Sequence, residues 1–231
     1  MPSTRSPSPA PRLSSFLATV AADVGAAHLK GAVILVALQR PVDDLIRTAL
    51  SFGPYHHGTE SPWSHTFLIA ETYTGVDTQI LDCTIRNPDG TVAWTESLDQ
   101  TLNEILNKSG GIYSGHVRDY DDARVTHVGV KLLRTLTTAQ CDAIIAAATA
   151  LQAGHYYYDV PGLLRELIRL LTGIAIPADP QRLFCSAFCQ QVYRTALGSL
   201  GDFNPALTTA DITPDDIWYS LTGTPFPTTA P

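Results

Sequence analysis

The sequence lacks any uninterrupted apolar run long enough to cross a bilayer. It has no Lys/Arg-rich run, and its formal net charge is −7. Neither nucleic acid nor an anionic membrane would be drawn to such a chain electrostatically. Cysteine is sparse: Cys83, Cys141, Cys185 and Cys189 form no CxxC pair and no paired Cys/His spacing of a zinc site. Four cysteines in 231 residues are too few for a disulfide-stapled scaffold, so free thiols are expected and the compartment stays open, cytoplasmic or exported. Arg5 and Arg12 precede the apolar stretch Phe16 to Ala22, but Asp23 cuts it short, so a cleaved signal peptide is not expected. No internal repeat is present.

With 45% hydrophobic and 16% charged residues, the composition is that of a globular protein, and the length suits one core. Residues 1–12, with four prolines and several serines, read as a disordered leader. Residues 13–221 read as a single domain, and 222–231 as a loose tail. Along the domain we expect a helix over 13–30 weakened by Gly25, a buried strand over 31–38, and a short helix over 41–52 with Pro41 in its first turn. A Gly/Pro/His loop follows over 51–62. Strands are expected over 65–70, 78–86, 91–94, 115–119 and 125–133. Asn87-Pro88-Asp89-Gly90 marks a turn, and a helix over 97–108 would stop at Gly110-Gly111. Helices over 137–154, 161–172 and 184–197 follow, with a last turn starting at Thr213-Pro214-Asp215-Asp216. Strands in the middle with helices before and after them indicate an α+β fold.

Leu183-Phe184-Cys185-Ser186-Ala187-Phe188 opens the helix that carries Cys185 at or near its first turn. The N–H groups there are unpaired and the dipole is positive, which favours a thiolate, the nucleophilic form. A cysteine nucleophile needs a base, and that base needs a polar group to hold its tautomer. His65 stands at the head of a strand in Trp63-Ser64-His65-Thr66-Phe67. Asp82, among apolar neighbours on the next strand, is the third candidate and Glu71 its competitor. The structural alternative is a buried, inert Cys185. Cys189, Cys83 and Cys141 read that way. His56 and His57 on the loop read as solvated and His116, His127 and His155 as unpaired, so no metal site is expected. The helix with Leu163, Leu164, Leu167, Ile168, Leu170 and Leu171 is a core helix or a wall for an acyl chain.

Gly31-Ala32-Val33-Ile34-Leu35, Trp63-Ser64-His65-Thr66-Phe67-Leu68, Tyr156-Tyr157-Tyr158-Asp159 and Phe184-Cys185-Ser186-Ala187-Phe188 together resemble the permuted papain-like amidases of the YaeF/YiiX type. These are relatives of the NlpC-type peptidases and of lecithin:retinol acyltransferase. The resemblance runs over roughly Gly31 to Ser220 and includes the Thr-Pro-Asp-Asp segment. It implies a circularly permuted papain-like fold, an antiparallel sheet packed with helices and a nucleophile at a helix N-terminus. It further implies Cys185 as nucleophile, His65 as general base and acid, and Asp82 as the third group, where many relatives carry Glu or another polar residue. Tyr156 and Tyr158 would border the substrate, with Trp63 and Ser64 beside them. No cofactor is implied. The expected activity is hydrolysis of a peptide-like amide, cell-wall peptide first. The alternatives are a lipid deacylase or acyltransferase, or a binding module that keeps the fold without catalysis. The oligomeric state stays open.

Overall fold

The run Val33-Ile34-Leu35-Val36-Ala37-Leu38 is β-branched and apolar at every position, and it forms strand β1 (Val33–Leu38), buried throughout. An unbroken apolar strand needs cover on both faces, and β1 has it. Val33 and Leu35 enter one apolar cluster, and Ile34, Val36 and Leu38 enter another on the opposite side. The computed structural model describes residues 13–56, 58–87, 90–92, 110–133, 136–154, 156–174, 177, 179 and 181–227. The expected leader, the helix over 97–108, Pro88, Asp89, Ala93, Trp94, His57 and His155 lie outside these residues.

The architecture is α+β, with an eight-stranded sheet and six helices among the described residues. The helices are α1 (Leu13–Val24), α2 (Pro41–Leu50), α3 (Thr138–Ala153), α4 (Val160–Thr172), α5 (Cys185–Leu197) and α6 (Pro214–Tyr219). Beside β1 stand β2 (His65–Ile69), β3 (Gln79–Ile85), β4 (Gly110–His116), β5 (Val125–Leu132), β6 (Tyr157–Tyr158), β7 (Arg182–Leu183) and β8 (Thr224–Pro227). Their order is β7-β6-β4-β3-β2-β1-β5-β8, antiparallel except where β6 meets β7. Helices α3 and α5 pack on one face through Ile144, Ala148, Phe188 and Val192. Helix α1 covers the other face through Leu13, Leu17 and Val20.

Local chemistry explains most boundaries. Gly25, at φ 91°, ends α1 and hands over to a 3-10 turn, where one helix through residue 30 was expected. Thr137 and Gln140 form a capping box at α3, and Thr213 and Asp216 form another at α6. Asp159 caps α4, and Gly173 ends it in the left-handed conformation.

Two expectations need correction. Gly110 and Gly111, expected as the stop of a helix, begin β4, which runs to His116 where a strand over 115–119 was expected. Its glycines sit where neighbours leave no room for a side chain: a Cβ on Gly110 would stand 2.3 Å from the Tyr158 Cβ. The tail also contributes structure. Thr224–Pro227 pairs with β5 as an edge strand, a place in a sheet where proline is tolerated.

Candidate active site

Cys185 is the first residue of α5. Leu183, two residues earlier, is held in β7 opposite Tyr158, and Phe184 is extended and forms the cap position. The strand therefore gives way to helix at the cysteine. Ser186 anchors the first turn by donating to the Ile212 carbonyl at 2.7 Å.

His65 opens β2 and pairs with Val36 of β1. Asp82 lies mid-strand in β3. The β2–β3 register sets Leu68 opposite Leu81, which continues to put Asp82 opposite Phe67. His65 is thus its diagonal neighbour on the same face, within reach of a side-chain pair. The pair forms: His65 Nε2 lies 2.9 Å from Asp82 Oδ1, and both residues are buried. Glu71, the competing acid, is exposed at the β2–β3 turn and accepts the Gln79 N–H at 2.8 Å. Asp82 is the acid that holds His65.

A residue that no motif or spacing singles out completes the network. Tyr120, in a 3-10 turn after β4, donates to Asp82 Oδ2 at 2.5 Å and touches His65 Nε2 at 3.2 Å. Its ring stacks on Phe67 with centroids 4.8 Å apart. Both Asp82 oxygens are used, and both contacts to the imidazole fall on Nε2. Nδ1 takes part in neither contact.

Burial alone would pull the His65 imidazolium down. The charges of Asp82 and Cys185, with hydrogen bonding to each, outweigh it and raise the pKa to about 10. Burial pushes the thiols of Cys83, Cys189 and Cys141 up. Cys83 donates to the Leu183 carbonyl and Cys189 to Thr66 Oγ1. All four are free. No family model matches this chain, and no curated protein matches it.

The remaining residues divide. Tyr158 is buried at the site: burial raises its phenol first, and the nearby Cys185 and Cys83 raise it further. The buried Arg40–Asp43 pair neighbours it, Arg40 donating through Nε and Nη2 to the Asp43 carboxylate. Tyr156 is half-buried and rests against Gly154. Ser64 and Trp63 are not brought to the cysteine as free groups. Ser64 Oγ accepts the Leu38 N–H at 3.1 Å and is bound into the strand pair. Trp63 packs on Trp218 in the core.

His56 is not solvated as its loop composition suggested. It is buried, 3.0 Å from Asp215 Oδ2, and Ser61 donates to the other Asp215 oxygen at 2.8 Å. Among the described residues, no group of three or more His, Cys, Asp or Glu could hold a metal ion. No helix among them is long and apolar enough to cross a membrane.

Proposed function

We propose that the protein is a cysteine hydrolase with a permuted papain-like fold, acting on a peptide-like amide through an acyl-enzyme at Cys185. The observation that carries this reading is a buried His65–Asp82 pair beside a cysteine that begins a helix. The Cys185 thiolate attacks the carbonyl carbon. A C–S bond forms, and the π pair moves onto oxygen, which the Cys185 backbone N–H receives as a hydrogen-bond donor. The C–N bond then breaks, and the proton on His65 Nδ1 goes to the leaving amine. Water next attacks the thioester while returning a proton to His65. The carboxylic acid leaves, and the thiolate–imidazolium pair is restored. Asp82 keeps the ring oriented with Nδ1 toward sulfur, and Tyr120 holds Asp82.

The substrate class follows from the resemblance, with cell-wall-type peptide first. Lipid deacylation or acyl transfer is the second reading. It is favoured by exposed Leu45 and Phe52 on and after α2, and by Ile174 after α4, the helix against which α2 packs. The test is the alkylation rate of Cys185 against pH, read by peptide mass spectrometry in wild type and His65→Ala. Fast alkylation well below the ordinary thiol range near pH 8.5, lost in the variant, is expected. A rate no faster than that of Cys141 would instead favour a binding module. Peptide and fatty-acyl ester panels then separate the two hydrolytic readings by which of them acylates Cys185.

A further inference from the structure

Arginine in this protein repeatedly spends one edge of its guanidinium, Nε with Nη2, on a carboxylate. Arg169 does so with Glu166, Arg124 with Asp122, and Arg40 with Asp43. Such side-on forks hold both oxygens of a planar acceptor and are the strong, geometrically selective form of the ion pair. In Arg86 and Arg165 the same two nitrogens are buried without a hydrogen-bond partner. Arg86 is accounted for by packing. Its guanidinium lies 5.7 Å from the centre of the Tyr113 ring, and a Cβ on Gly115 would stand 2.3 Å from its Nη2.

Among the described residues, no aromatic ring or glycine covers Arg165 in this way. It lies on α4 with its side chain 9% exposed, and only Nη1 is engaged, at 3.1 Å from Asp159 Oδ2. The adjacent carboxylate, Glu166, is already taken by Arg169. Asp159 is itself fixed: its other oxygen accepts the Gly162 N–H at 2.8 Å, and its own N–H donates to the Leu183 carbonyl at 3.0 Å. Leu183 is two residues from Cys185, and Tyr158, next to Asp159, is the buried phenol that feels the Cys185 charge. The unpaired edge, itself buried, is thus tied through Asp159 to the short strand pair that leads into Cys185. A guanidinium stays protonated at any working pH, and buried donors without acceptors are rare in folded proteins.

We propose that the Nε/Nη2 edge of Arg165 is the binding site for a carboxylate of the substrate, beside the Cys185 nucleophile. The assignment of this carboxylate to the substrate rests on the hydrolase reading. Asp159 offsets the guanidinium charge, so selection comes from two aligned N–H donors rather than from net charge. Lysine at this position would supply charge without the fork and would not replace it.

The test compares N-iodoacetyl-glutamate with N-iodoacetyl-glutamine amide as alkylating agents of the full chain, at constant ionic strength. The carboxylate reagent should modify wild-type Cys185 faster than the amide by about tenfold. The preference should vanish in both Arg165→Lys and Arg165→Met, with the amide rate unchanged. Equal rates in wild type, or a preference that survives in Arg165→Met, would overturn the proposal. Should the amide reagent itself react no faster at Cys185 than at Cys141, the hydrolase reading fails separately. The thermal midpoint in N-acetyl-glutamate against its diamide then decides: a rise that needs Arg165 supports the carboxylate site, and no rise removes it. A larger rise with inorganic phosphate than with acetate would assign the edge to a tetrahedral anion and overturn the carboxylate.

Discussion

Two buried histidine–aspartate pairs stand in this molecule at nearly the same separation, His65–Asp82 at 2.9 Å and His56–Asp215 at 3.0 Å. They differ in the bond and in what surrounds it: only the first has hydrogen-bond geometry, and His56 Nε2 is left without a hydrogen-bond partner. At His65 the second carboxylate oxygen holds a tyrosine, the imidazole keeps Nδ1 spare, and a cysteine begins a helix alongside. At His56 the second oxygen holds Ser61, which is bound into the backbone at Trp63, and the ring meets the edge of Tyr219. Next to it Asp216 accepts from Tyr55 and Asn204. That second cluster fastens the loop before β2 to α6. A His–Asp pair is therefore no mark of chemistry by itself; a cysteine at a helix start beside the ring is what sets the first pair apart.

The largest effect should come from Cys185→Ala. On a confirmed substrate it should lower turnover by about 10⁴-fold or more with the fold intact, while His56→Gln stays within a few-fold of wild type. Unchanged turnover in Cys185→Ala would end the mechanism. Asp82→Asn should slow Cys185 alkylation near neutral pH by about 10²-fold or more, whereas Asp215→Ala should leave that rate alone. The Asp215 change should lower unfolding free energy by about 1–3 kcal/mol, because the buried Ser61 hydroxyl loses its acceptor. Should the two substitutions trade places in these assays, the distinction between site and clasp would be reversed.

A pH titration of stability sharpens the same contrast. The folded pKa of His65 is raised to about 10 from an ordinary value of 6.5. The folded state thus holds the proton that the unfolded chain releases first. The stabilisation is complete below about pH 6.5 and is lost as pH rises through about 10. Denaturant unfolding across that window should show the loss in wild type and a smaller one in Asp82→Asn. The smallest effect is expected from Tyr120→Phe: about 1–3 kcal/mol of stability as Asp82 Oδ2 loses its donor. Its alkylation rate should fall by only a few-fold; a loss as large as that of Asp82→Asn would make Tyr120 a full member of the machinery.

Much of the site was legible because its parts lie on periodic elements. The alternation of β2 and β3 put His65 and Asp82 on one face, and the apolar spacing of Phe184, Phe188 and Val192 placed Cys185 at a helix start. Tyr120 escaped because it comes from a 3-10 turn, where no period tells which way a side chain points, and its partner is 38 residues away. His56 escaped for a similar reason: its burial depends on Asp215, 159 positions later, and loop composition carries no trace of that pairing. Strand β4 was misplaced because its glycines are set by the bulk of Tyr158 and Arg86 across the sheet, not by strand propensity.

The edge strand β8 has a bearing on how the protein behaves in a crowded solution. Pro225 and Pro227 alternate with Thr224 and Phe226 along it. Proline has no N–H to give β5, so the inward donors belong to the alternate residues and the outward row has acceptors alone. At the opposite end of the sheet, β7 is two residues long. Among the described residues neither rim offers a second molecule a strand's worth of hydrogen bonds, which disfavours growth into fibrils by edge-to-edge addition.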